Sequence, residues 1–96
     1  MQNLTAHLFK DRKLVLCGLN LMIVEVPNPR TGVITRSGIF NSRIGEPVEP
    51  GSYQILMSND QEADIEIYHC VPLGRSLTNY FKINGEFRLT SFNPVT

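Results

Sequence analysis

Along most of the chain, hydrophobic and polar residues alternate with a period of two, and clusters of turn-forming residues cut the alternation into short runs. The pattern predicts β-strands with one buried face, and no stretch shows the three-to-four spacing of a convincing amphipathic helix. Leu4, Ala6 and Leu8 alternate with Thr5 and His7 in a first strand that ends at the charged turn KDRK, residues 10–13. A second strand starts at Leu14. Its apolar series changes phase at Gly18, from Leu14 and Leu16 to Leu19, Leu21 and Ile23, as a bulge or sharp bend requires. PNPRTG, residues 27–32, is turn chemistry leading into a third strand over residues 33–40. In EPVEPGSYQI, residues 46–55, Pro47 and Pro50 forbid helix and withhold ladder donors, after which Tyr53, Ile55 and Met57 share one face of a fourth strand. Residues 63–71 make a fifth, with Ile65, Ile67 and Val71 facing one way.

In YFKINGEFRL, residues 80–89, Asn84-Gly85 between two alternating runs predicts a tight type I′ hairpin. A two-residue turn would pair Ile83 with Glu86, Lys82 with Phe87, Phe81 with Arg88 and Tyr80 with Leu89. With Tyr80, Lys82, Phe87 and Leu89 on the core, Phe81 lies outside opposite Arg88, in reach of a cation–π contact of about 0.5–1 kcal/mol. The alternative sets Phe81 and Ile83 over a second small core under a loop. At 96 residues the chain can bury one modest core and is too short for two domains. The expected fold is therefore a single all-β domain over residues 1–96. It is a small antiparallel barrel or sandwich of about six to seven strands ending in the type I′ hairpin.

Charge changes the picture. Nine Lys plus Arg balance nine Asp plus Glu, which argues against a simple electrostatic nucleic-acid binder, yet the distribution is uneven. Residues 1–45 hold Lys10, Arg12, Lys13, Arg30, Arg36 and Arg43 against Asp11 and Glu25, whereas residues 46–66 hold six carboxylates and no base. Asp60, Glu62, Asp64 and Glu66 recur every second residue, so on an extended segment they project from one face while Ile65 and Ile67 point to the other. Such a comb either solvates an outer face and deters edge association, or docks a basic partner. A row of strand neighbours does not converge as a metal cage must, so no metal is expected.

Catalytic chemistry finds no foothold. His7 and His69 are the only histidines, and Cys70 follows His69 directly and so points to the other face of its strand. No nucleophile, base and orienting acid can be assembled from spacing. Cys17 and Cys70 lie far apart with no Cys-x-x-Cys pair, which indicates neither a zinc site nor a disulfide framework and makes a reducing cytoplasm the default. The seven glycines are scattered at turns and form no phosphate loop. The apolar run LNLMIVEV, residues 19–26, is far short of a membrane span. Neither an enzyme, a cofactor nor a membrane partner is expected.

Two resemblances accompany this reading. GEPVEPGSYQI resembles the Pro-x-Gly-x-Tyr/Phe-x-Ile segment of L,D-transpeptidase-like catalytic domains, and GRSLTNYFKING is similar to the run toward their catalytic histidine. Asn84 stands before Gly85 where that family needs a histidine, and no cysteine follows Cys70, so this resemblance implies an inactive domain. The second resemblance is to filamentous-phage single-stranded-DNA-binding proteins, small dimeric β-barrels. It is carried by TRSGIFNSRIGEP, QEADIEI, PGSYQI and FKING, with Glu46 standing where that family has a basic residue. It implies Arg36, Arg43 and Tyr53 as phosphate and stacking residues, a homodimer, and affinity from stacking and counterion release.

The expected function is a non-catalytic binding module that docks a macromolecular partner, a protein in preference, in the manner of small phage or mobile-element inhibitor proteins. Its docking residues would be Asp60, Glu62, Asp64, Glu66, Phe81 and Arg88. The alternative is a single-stranded nucleic-acid binder working through Lys10, Arg12, Lys13, Arg36, Arg43 and Tyr53.

Overall fold

A computed structural model describes residues 2–89, with side chains from residue 4 onward, and every regular element in that span is a strand. The strands are β1 (Gln2–Lys10), β2 (Lys13–Pro27), β3 (Ile34–Arg43), β4 (Gly51–Met57), β5 (Gln61–Leu73) and β6 (Ser76–Leu89). They close into a barrel in the order β1-β2-β3-β6-β5-β4, antiparallel at every seam. Two meanders, β1-β2-β3 and β4-β5-β6, are joined by residues 44–50, which cross one end of the barrel and set β4 beside β1 in a Greek-key step.

The two-residue alternation sorts side chains as the sequence predicts. Ala6 and Leu8 of β1, Leu19, Leu21 and Ile23 of β2, and Tyr53, Ile55 and Met57 of β4 all point inward. Ala63, Ile65 and Ile67 of β5 join them, and all are buried. Gly18 (φ +66) is the expected phase change. Ala6 pairs with Leu19 and Leu8 with Leu16, so Cys17 and Gly18 both stand against His7, whose Nδ1 accepts the Gly18 N–H at 3.1 Å. Phe40 and Phe81 meet in the centre with ring centroids 6.0 Å apart. Val48, on the crossing connection, plugs the barrel end beneath it.

The Asn84-Gly85 hairpin does not form. β6 runs unbroken from Ser76 to Leu89, and Gly85 (φ +82) instead sits in a bulge: Asp64 pairs with Asn84 and Glu62 with Arg88, leaving three β6 residues opposite Ala63 alone. A hairpin there would have stripped β5 of its partner over residues 61–64, so the long-range ladder overrides the local turn preference. The strand count is six, within the expected six to seven. The same straight path turns Phe81 and Ile83 inward and Tyr80 and Lys82 outward, the reverse of the facing that a core of Tyr80, Lys82, Phe87 and Leu89 requires. Paired left-handed residues, the hallmark of a type I′ turn, occur instead at Asp11 (φ 52) and Arg12 (φ 66) between β1 and β2.

Gly38 is the tightest point of the wall. A Cβ there would lie 2.5 Å from the Met22 carbonyl oxygen and 2.6 Å from Phe81 Cζ, one a fixed backbone atom and the other a buried ring. Gly38→Ala is therefore expected to lower stability by about 1–3 kcal/mol, as overpacking does. Gly45→Ala, whose Cβ would meet nothing within 4 Å and whose φ is not positive, should be neutral or stabilise by about 0.4–1 kcal/mol. Urea unfolding of the two variants checks the contrast, and equal midpoints would refute it.

Candidate functional site

The carboxylate comb exists, but it is largely spent within the barrel. Arg88 lies between two of its teeth, with its guanidinium 3.2 Å from Asp64 and 3.6 Å from Glu62, and these contacts raise the Arg88 pKa. Glu66 stands across the ladder from Lys82, and Asp60 sits in the β4–β5 turn at φ 63. Phe81 leaves the docking set altogether, being fully buried beside Phe40 and out of a partner's reach. The aromatic–cation contacts lie elsewhere: Lys10 Nζ is 4.5 Å from the Tyr53 ring centre, and the Arg36 guanidinium is 5.5 Å from that of Phe87.

The residues of the nucleic-acid alternative divide. All strands alternate in direction, so the ends of β1, β3 and β5 meet the starts of β2, β4 and β6 at one pole, where Lys10, Arg12, Lys13 and Arg43 gather. Arg75, in the β5–β6 turn, joins them, a residue that the sequence reading missed because only ring topology carries residue 75 to residue 13. Arg36 sits toward the opposite pole, paired with Glu25 at 3.3 Å. Tyr53 offers no stacking face. It is 6% exposed, lies under Lys10, and its hydroxyl donates to the Glu49 carbonyl at 2.7 Å.

Between β2 and β3 at the basic pole the wall opens. The β2–β3 ladder begins only at Leu21↔Phe40, so Lys13–Asn20 of β2 pair with β1 alone and Asn41–Arg43 of β3 pair with β6 alone. The bulge at Cys17 and Gly18 falls within this stretch of β2. The resulting groove holds about 810 Å³, within the roughly 300–1,000 Å³ of ordinary binding sites. Leu14, Leu16 and Leu19 form one wall, Ser42 and Arg43 the other, and Pro47 closes one side. Behind Ser42 lies fully buried Asn79, whose Nδ2 donates to Ser42 Oγ at 3.0 Å and to the Phe40 carbonyl at 3.3 Å. The Asn79 Oδ1 accepts no hydrogen bond from the described residues.

A second surface was also hidden in the sequence. The register shift between Ile67 and His69 turns Tyr68 and His69 both outward, where each ring approaches Tyr80, with centroids 6.5 and 5.9 Å away. Cys17 is exposed and Cys70 half-buried, both free thiols. Among the described residues no three His, Cys, Asp or Glu side chains gather as a metal site would need, and no helix is long and apolar enough to cross a membrane. Comparison of the chain with protein-family models, with curated proteins and with solved structures finds no match.

Tyr53 ties the crossing connection to the barrel and carries a pH signature. Burial, and secondarily the Glu49 carboxylate, raise its phenol above the ordinary 10.0. The stability that the neutral phenol contributes is fully present below pH 10 and is lost as the pH climbs through the raised value. Tyr53→Phe should cost about 0.5–1.5 kcal/mol at neutral pH through the lost hydrogen bond. It should also flatten the decline in stability above pH 10. Urea titrations at both pH values measure this, and an unchanged alkaline slope would count against it.

Proposed function

We propose that this protein is a non-catalytic docking module that receives an extended segment of a partner protein in the groove between β2 and β3. The observation that carries this reading is the unpaired stretch of β2. From Lys13 to Asn20, one edge of a strand in an otherwise closed barrel has no ladder partner among the described residues. Exposed strand edges are templates for another chain, and strand addition gives affinity through the main chain while alternate side chains find pockets. The apolar wall of Leu14, Leu16 and Leu19 would supply those pockets. The acidic comb does not serve this reading, since Glu62 and Asp64 already face Arg88.

Single-stranded nucleic acid is the second reading, favoured by one observation. Arg12, Lys13, Arg43 and Arg75 have neither an ion pair nor a side-chain hydrogen bond among the described residues, while the ion pairs described all involve Arg36 or Arg88. Against it stands the buried Tyr53, which leaves the basic pole without its expected stacking platform.

Panning a displayed library of random peptides against the immobilised protein should enrich binders that compete with one another. Leu14→Glu, at a side chain 56% exposed, should leave the fold within about 0.5 kcal/mol of the parent. It should weaken those peptides at least about tenfold, or about 1.4 kcal/mol. No enrichment, or enriched peptides indifferent to Leu14→Glu, would overturn the docking reading. Salt-sensitive binding of oligothymidylate that outcompetes every peptide would establish the second reading in its place.

A further inference from the structure

Resting on the docking reading, we infer that the occupant of the β2–β3 groove is an acidic, extended peptide that lies between the two strand edges as an inserted strand. Two open edges face the groove, Lys13–Asn20 of β2 and Asn41–Arg43 of β3. Because β2 and β3 are antiparallel to each other, a strand laid between them runs antiparallel to one and parallel to the other. It completes the ladder that stops at Leu21↔Phe40. A nucleic acid has no main-chain ladder to offer these edges, and no aromatic side chain lines the groove for a base to stack on.

Charge selects among peptides. Arg43 lines the opening, Lys13 directly precedes the lining residue Leu14, and Arg12 and Arg75 stand at the same pole, as do Asp11 and Glu49; all four bases are exposed and free of carboxylate partners among the described residues. Glu46, on the rim, is the one acid lining the groove. The carboxylates of β5, which would repel an acidic segment, lie toward the other pole or already face a base. A segment that alternates carboxylates with small aliphatic residues therefore satisfies the site. Its apolar side chains meet Leu14, Leu16 and Leu19, and its acids turn to the basic rim.

The test uses a labelled decapeptide of alternating Asp and Val, a Lys-Val counterpart and oligothymidylate, each titrated by fluorescence anisotropy against the full chain. The Asp-Val probe should bind at least about tenfold more tightly than the Lys-Val probe and lose affinity with salt. Lys13→Glu with Arg43→Glu, two exposed positions, should reverse the preference between the two peptides. Bound Asp-Val peptide should slow amide exchange in residues 13–20 of β2. Equal binding of both peptides, unchanged exchange in that segment, or displacement of the Asp-Val probe by oligothymidylate would overturn the inference. If panning yields peptides that depend on Leu14 and none is acidic, the docking reading stands and this inference alone falls.

Discussion

Everything in this barrel depends on β1 being paired along both edges. Its seam with β4 is short, from Ala6↔Met57 to Phe9↔Gln54, and it brings Ala6 and Leu8 into the same packed layer as Ile55 and Met57. Without that seam the six strands, still joined through β3 and β6, form one open sheet with β1 and β4 as exposed edges; with it, the ring closes around one core. Closure also dictates where the other strands deform. β2 follows β1 through the bulge opposite His7, and over Lys13–Asn20 it makes no ladder with β3. The groove lies along the stretch where β2 is paired with β1 alone. Lys10 comes to rest over Tyr53 for the same reason, because the β1–β4 seam fixes their distance.

The sequence disclosed the strands well and their ends poorly. Alternation exposed the inward series of β2, β4 and β5, and the glycine at position 18 announced its own bulge, because these signals are local and the side chains involved are unambiguous. Asn84-Gly85 misled for an instructive reason. A left-handed glycine suits a bulge as well as a turn, and which one forms is decided by β5, a partner some twenty residues away in sequence, which a local reading does not weigh. Conversely Asp11-Arg12 adopts the paired left-handed dihedrals without the residues that usually advertise them, since the ladders of β1 and β2 hold the turn from both sides.

Little of the candidate site could have been read that way. Lys10, Arg12 and Lys13 were visible as a basic cluster, but Arg43 and Arg75 reach it only through the ring order, and the groove exists because a ladder is missing, which leaves no mark in composition. The comb was legible as a spacing and illegible as a set of contacts, because Arg88 approaches it from β6. Tyr53 illustrates the converse limit. Its place in a strand was plain, whereas its burial under Lys10 required knowing that the β1–β2 turn lies beside the start of β4.

The separation of charge between the two poles gives the molecule a property that its net charge conceals. With a balanced count of acids and bases and an isoelectric point near 6.7, the protein has almost no monopole at neutral pH. Yet one pole carries Lys10, Arg12, Lys13, Arg43 and Arg75 against Asp11, Glu46 and Glu49, while the carboxylates of Glu25, Asp60, Glu62 and Asp64 lie toward the other, which leaves a dipole along the barrel axis. Two such molecules attract head to tail or side by side when antiparallel, and repel side by side when parallel, over distances set by the ionic strength. Added salt shortens the reach of each pole and weakens attraction and repulsion alike.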